Sequence, residues 1–159
     1  TVAVIAELED AMMAYGDLLR KENMQMAYHM PEADIPFITG DPERLRQVFL
    51  NILDNAAKYG RGGTIDIGIK ANQDHVFVLF RDHGPGIPEK DLPHVKEMFY
   101  KASSKVRGNG IGLSVCKAII LAHKGRIEAE NIPEGGACFR FRLPMEEDYH
   151  ESSDDHSDR

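Results

Sequence analysis

Two stretches of this chain each set a pair of strand-length apolar runs back to back with only a turn between them. Residues 64–70 and 75–82 flank a short polar segment, and residues 126–131 and 137–143 flank Pro133-Glu134-Gly135-Gly136. Such runs, alternating or apolar and bounded by Gly, Pro and Asn, read as strands. Strands joined this closely pair antiparallel, because a parallel return needs a crossover of about a dozen residues or more. Residues 25–30 and 35–39 read as a further pair of short strands, split by Pro31 and Pro36.

Helical spacing fills the segments between. Val4, Ile5, Leu8, Met12, Tyr15 and Leu19 recur at every third or fourth position over 4–22. Asp41 reads as an N-cap with Pro42 at the first helical position, where the missing N–H costs nothing. From there a helix runs to about Tyr59 and stops at Gly60, with Leu45, Val48, Phe49, Ile52 and Ala56 as its core stripe. Gly84 to Pro88 breaks the chain into a loop, a loop or short helix covers 89–101, and a polar loop runs from Ser103 to Gly110. A last helix starts near Gly110 and ends by Gly125. The order α-β-β-α-β-β-loop-α-β-β predicts an α+β fold: a mixed, mostly antiparallel sheet with helices on one face, not a doubly wound α/β fold.

The chain has 159 residues and a formal net charge of −7, a length suited to one domain. Its charge is uneven. Residues 145–159 hold seven acids and one Arg, while the rest hold nineteen acids and eighteen bases. That tail has little to bury and is expected to be disordered, leaving 1–144 as the folded unit with 1–24 as its leading helix. A near-neutral body argues against nucleic-acid binding. No apolar run approaches the roughly 20 residues of a membrane span and no charged-then-apolar leader is visible, so the chain is expected to be soluble and cytoplasmic. Thr1 points to an excised or processed piece. Cys116 and Cys138 are too few for a disulfide scaffold and lack CxxC spacing, and the seven His lack HExxH pairing, which disfavours zinc.

Three segments carry chemistry. On the helix over 41–59, Asn51, Asn55, Lys58 and Tyr59 share a second face. Two carboxamides, a cation and an aromatic suit a metal–phosphate and a stacked base, Asn oxygen being a hard ligand for Mg²⁺. A solvated helix face gives the same pattern. Asp82-His83-Gly84-Pro85-Gly86-Ile87-Pro88 follows a strand. A carboxylate there accepts a hydrogen bond from an exocyclic amine such as that of adenine, and repels the carbonyl guanine offers instead. Gly84 and Gly86 let backbone approach a flat ring, though an ordinary Gly-Pro turn reads alike. Gly108-Asn109-Gly110-Ile111-Gly112-Leu113 opens the last helix, where N–H groups favour phosphate. It is neither the dinucleotide fingerprint nor a P-loop. Between Glu97 and Glu128 there is no acid, and the stretch carries Lys101, Lys105, Arg107, Lys117, Lys124 and Arg126. Cations pooled around a glycine loop call for a polyphosphate. DNA fits less well, because no aromatic residues interleave the cations after Tyr100.

In this order, Asn51-Ile52-Leu53-Asp54-Asn55-Ala56-Ala57-Lys58-Tyr59, then Asp82-x-Gly84-x-Gly86, then Phe99-Tyr100-Lys101, then Gly108-x-Gly110-x-Gly112-Leu113 resemble the N box, first glycine box, F box and second glycine box of sensor histidine kinases. Leu121 to Ile127 and Phe139 to Pro144 are similar to that family's last helix and strands. The likeness covers about residues 35–144. It implies the Bergerat ATP-binding fold, a two-layer α/β sandwich shared with gyrase, MutL and the heat-shock chaperone ATPases.

The resemblance implies ATP and Mg²⁺ as ligands. Asn55 and Asn51 would hold Mg²⁺, Lys58 would reach the phosphates and Tyr59 would pack near the adenine. Asp82 would read the adenine amine, with Gly84, Gly86 and Ile87 shaping its pocket. Gly108, Gly110, Ile111, Gly112 and Leu113 would present backbone to the phosphates, and Lys101 and Lys105 would offer charge from the lid. Lys101 stands where Arg is common, and the loop from Ala102 to Arg107 is short for a lid. Asn51 and Lys101 are the catalytic candidates. Hydrolysing members and the anti-sigma serine kinases carry Glu at the position of Asn51. Asn is a poor base, and an imidazole nucleophile needs none, which favours histidine phosphorylation. No His here is followed by the acidic-Arg-Thr/Ser-Pro pattern of a phosphoacceptor. The acceptor is therefore expected on a separate dimerisation domain of a homodimeric parent, with a response regulator downstream and this piece monomeric. The alternatives are an ATP-gated interaction module and an ATP-hydrolysing member of the same fold.

Overall fold

The computed structural model describes residues 1–60, 63–90, 93 and 109–145, with side chains described outside 57–60 and 109–114. The elements are α1 (Val4–Lys21), β1 (Met24–His29), α2 (Pro42–Gly60), β2 (Gly63–Ala71), β3 (His75–Asp82), α3 (Asn109–Ala122), β4 (Arg126–Asn131) and β5 (Ala137–Pro144). The strands form one sheet in the order β1-β2-β3-β5-β4. The β2–β3, β3–β5 and β4–β5 pairs are antiparallel, and β1 runs parallel to β2. This is the mixed, mostly antiparallel α+β sheet that the sequence predicts.

One expected strand is absent. Residues 35–39 make a single antiparallel bridge, Ile38 to Val2, outside the sheet. Pro36 has no N–H to give a ladder. The first two strands are therefore not a hairpin. The chain leaves β1, crosses through α2 and returns parallel in β2.

Alternation decides the faces. Ile65, Ile67, Ile69, Val76, Val78, Phe80, Ile127, Ala129, Phe139, Phe141 and Leu143 are buried, and so are Leu45, Val48, Phe49, Ile52 and Ala56 of α2. Phe49 stacks on Phe141 with centroids 5.5 Å apart and tilts against Phe80 at 6.2 Å, which clamps α2 onto β3 and β5. Asp66, Lys70, Leu79, Arg140 and Arg142 alternate onto the opposite face.

Polar ties set the helices. Asp41 Oδ1 accepts from the N–H groups of Glu43 (3.1 Å) and Arg44 (3.3 Å), so the expected N-cap of α2 is formed. The Asp41 N–H donates to His123 Nε2 at 3.0 Å, joining the start of α2 to the turn after α3. Arg46 pairs with Glu7 at 2.7 Å, and the Tyr28 hydroxyl donates to Glu9 at 2.9 Å. Among the described residues no helix is long and apolar enough to cross a membrane.

Phe49 is fully buried against Phe80 and Phe141. Phe49→Ala is expected to cost about 3–5 kcal/mol, read as a lower urea midpoint at unchanged slope. A loss under about 1 kcal/mol would remove this ring from the centre of the core.

Candidate functional site

Asp82 ends β3 and is fully buried. Its Oδ1 accepts from the backbone N–H groups of Gly84 and Ala137, both at 3.1 Å. Its Oδ2 is buried with no partner among the described residues. Burial raises the pKa of this carboxyl. The N–H groups of Ala137 and Gly84 and the nearby His83 and Arg81 oppose that rise without cancelling it. A buried carboxylate with one oxygen satisfied and the other empty is costly until a donor reaches it.

The β4–β5 turn builds this arrangement. Gly136 has φ +93°, and a Cβ there would sit 2.0 Å from the Asp82 carbonyl oxygen. Only glycine lets the turn press against the strand end and bring the Ala137 N–H to the carboxylate. The same hairpin grips the following loop. Asn131, at the end of β4, accepts the Ile87 N–H at Oδ1 (2.9 Å) and donates from Nδ2 to the Ile87 carbonyl (2.8 Å). Gly86 adopts φ +82°, and a Cβ on it would stand 2.9 Å from Asn131 Oδ1. Asp82, Gly84, Gly86 and buried Ile87 thus form one unit held by Asn131, Gly136 and Ala137. Sequence reading did not single out these last three, which look like parts of an ordinary hairpin. Their signal is the register Arg81↔Cys138, which sets Ala137 beside Asp82.

A second unit lies on α2. Asn55 is buried, and its Nδ2 donates to the Asn51 carbonyl at 3.1 Å. Its Oδ1 is buried with no partner among the described residues. The Asn51 side chain lies against Cys116 of α3. Burial pushes the Cys116 thiol up to about 12, and the hydrogen bond with Asn51 partly offsets this. This face of α2 therefore looks toward α3, although taken alone it reads as a solvated surface. Among the described residues no cluster of His, Cys, Asp or Glu is arranged for a metal. The Asn55 Oδ1 is a hard, unpartnered oxygen of the kind Mg²⁺ takes.

The other sequence candidates are placed less fully. Lys58 and Tyr59 belong to α2, and Gly110, Ile111, Gly112 and Leu113 to the first turns of α3, which begins at Asn109. The side chains of these six lie outside the description. Gly108, Lys101, Lys105 and the loop from Ala102 to Arg107 lie outside the described residues.

The basic run is not one patch. α3 has 14 residues and is therefore about 21 Å long. Lys124 follows its C-terminal end with φ 64°, and Arg126 opens β4 on the outer face of the sheet. Both are a helix length from Gly110. Lys117 is buried within α3, its pKa lowered by burial and then by Arg126. The expectation that all six cations surround the glycine loop fails for Lys124 and Arg126.

Residues 40–147 match the family described as histidine kinase-, DNA gyrase B- and HSP90-like ATPase. The adaptive-response sensory kinase SasA of Rippkaea orientalis is 36% identical over 141 residues, covering 86% of this chain and 36% of that protein. The signal transduction histidine-protein kinase AfsQ2 of Streptomyces coelicolor is 43% identical over 109 residues, covering 67% of this chain and 20% of that protein. The chain thus spans little more than a third of these curated relatives, or less. The catalytic domain of histidine kinase ThkA superposes with a TM-score of 0.75 at 26% identity, covering 91% of this chain and 95% of that one. With its motifs in order, its sheet shared and most of its length matched, the chain belongs to the histidine kinase-, DNA gyrase B- and HSP90-like ATPase family.

Proposed function

We propose that this chain is the ATP-binding catalytic domain of a sensor histidine kinase, folded over residues 1–144, and that it donates the γ-phosphoryl group of ATP to a histidine on a separate dimerisation domain of the parent. The observation that carries this reading is the buried Asp82, with one oxygen fixed by two N–H groups and the other without a partner among the described residues. The sensory kinases among its relatives support the same reading. A response regulator would take the phosphoryl group onward, and the domain would work on the cytoplasmic side.

In this reading Asp82 Oδ2 accepts from the exocyclic amine of adenine. Gly84, Gly86 and Ile87, locked by Asn131, form the wall beside the ring, with Tyr59 near it. Asn55 Oδ1, with Asn51, suits Mg²⁺, which would supply positive charge against the phosphates. The first turns of α3, over Gly110, Ile111, Gly112 and Leu113, aim N–H groups at phosphate, joined by Gly108, Lys58, Lys101 and Lys105. The acceptor imidazole attacks phosphorus with its own lone pair as the bond to the ADP oxygen breaks. Asn51 is not asked to remove a proton, and the domain contributes positioning and charge.

Mg²⁺·ATP at about 100 times its Kd should stabilise the domain by about 2.7 kcal/mol, read as a rise in Tm, while GTP gives much less. Equal shifts would sink the Asp82 reading. Joined to the parent's dimerisation segment, the domain should label a histidine from γ-labelled ATP. Steady phosphate release by the domain alone would favour an ATPase instead, and binding with neither reaction would favour an interaction module.

Asp82→Asn should abolish the ATP shift and leave the fold intact. A carboxyl whose folded pKa is raised contributes most stability below its unfolded pKa and loses it as pH rises through the folded value. The variant should therefore equal or exceed the parent in Tm near neutral pH, and the difference should vanish at about pH 4, in melts across pH.

Asn131→Ala leaves the Ile87 N–H and carbonyl unpaired. It should weaken ATP by about 1–3 kcal/mol, measured by titration calorimetry. Unchanged affinity would mean that the loop holds its shape without Asn131.

A further inference from the structure

The face of the sheet turned away from the helices carries a row of cations that the nucleotide reading does not use. Register sets Lys70 opposite Phe77, Phe77 opposite Arg142, and Arg142 opposite Arg126. Directly opposite residues share a face, so these four cross β2, β3, β5 and β4 in one line. Lys70, Arg142 and Arg126 are exposed. In the neighbouring row Arg140 meets Glu128 and Glu130, each at 3.1 Å. No ion pair among the described residues involves Lys70, Arg126 or Arg142. Arg142 facing Arg126 is a like-charge cross-strand pair, which costs stability unless an anion lies over it. The row borders an open groove of about 1080 Å³ whose other wall is the segment after β1, with Glu32 and Asp34, and Leu79 on its floor.

We propose that the acidic segment 146–159 of this same chain docks across that row, with its carboxylates over Lys70, Arg142 and Arg126. Three observations favour this occupant. The segment holds seven acids and one Arg, and Tyr149 offers a ring for Phe77 and Leu79. It leaves from the row's own edge: β5 carries Arg142 and ends at Pro144, and the Met145 N–H donates to the Asp74 carbonyl at 3.0 Å. Its reach is ample. Fourteen residues extend to about 46 Å, and three strand spacings are about 14 Å. A tether this short keeps the acids at roughly millimolar effective concentration, so about four or five carboxylate contacts of about 1 kcal/mol each, shared among the three cations, hold them. Glu32 and Asp34 repel the segment and keep it on the arginine side. The inference is independent of the kinase reading, because it concerns the opposite face of the sheet.

The test is cleavage of the full 159-residue chain by a glutamate-specific protease, which cuts the segment at Glu146, Glu147 and Glu151, against the free peptide 146–159 as control. At about 20 mM salt the segment in the chain should be cut at least about threefold more slowly than the free peptide. The protection should disappear at about 500 mM salt, where charges are screened, and in Arg126→Glu/Arg142→Glu. Equal rates for chain and peptide at low salt overturn the proposal, as does protection that survives both salt and charge reversal. Circular dichroism checks that the doubly reversed chain folds. If it does not, Lys70→Gln/Arg142→Gln replaces it, and the salt series on the unsubstituted chain decides alone. If the segment is unprotected and added polyphosphate shifts the amide resonances of Phe77, Arg126 and Arg142, the row serves a separate anionic partner and the proposal fails.

Discussion

A carboxylate kept out of water at the end of β3 is the constraint around which the rest of this domain is arranged. Asp82 can be buried because two backbone N–H groups converge on one of its oxygens, one from two residues ahead and one from Ala137. The second donor requires β5 to lie directly beside β3, and the Gly136 turn to press against the strand end. The hairpin of β4 and β5 therefore does more than fill the sheet. Through Ala137 it holds the charge, and through Asn131 it holds the loop that follows the charge.

Among the described residues two buried oxygens lack a partner, Asp82 Oδ2 and Asn55 Oδ1. Each costs about 1–3 kcal/mol relative to a paired group, a substantial fraction of a typical domain's net stability of about 5–15 kcal/mol. Natural folds break such local rules mainly where a ligand restores them. The chemistry of the two atoms differs in a way that suits one bipartite ligand. In the proposed function the carboxylate oxygen would accept from a donor on a base. The carboxamide oxygen, on a helix that packs against β3 and faces α3, suits a hard cation beside phosphates.

Much of this was legible in the sequence where the information is local. The core stripe of α2 follows from helical spacing, its start from Asp41-Pro42, and the two hairpins from alternation around turn residues. The apolar faces of β2, β3 and β5 follow from period two. What was not legible depends on which strand neighbours which. Residues 35–39 have strand-like side chains, but Pro36 lacks the N–H a ladder needs, and the neighbour of β1 proved to be β2, arriving through α2. Asn131 and Ala137 lie some fifty residues from the groups they hold, 44 in one case and 55 in the other. Nothing near them in sequence distinguishes them from the residues of any turn.

The distribution of charge shows the same limit from another side. A run of cations along the chain looks like one electrostatic feature, but folding it through a helix about 21 Å long and into a strand separates its members. Lys117 is buried in α3, Lys124 follows the helix, and Arg126 crosses to the outer face. There it meets Arg142, which is distant in sequence and adjacent in the sheet. Electrostatic fields act through space with a range of about 10 Å at moderate salt. The units that matter are therefore the rows of the sheet and the ends of the helices, not runs of sequence. By that measure the inner side of this sheet is organised around one buried negative charge, while its outer side carries Lys70, Arg142 and Arg126 in one row that no carboxylate pairs among the described residues.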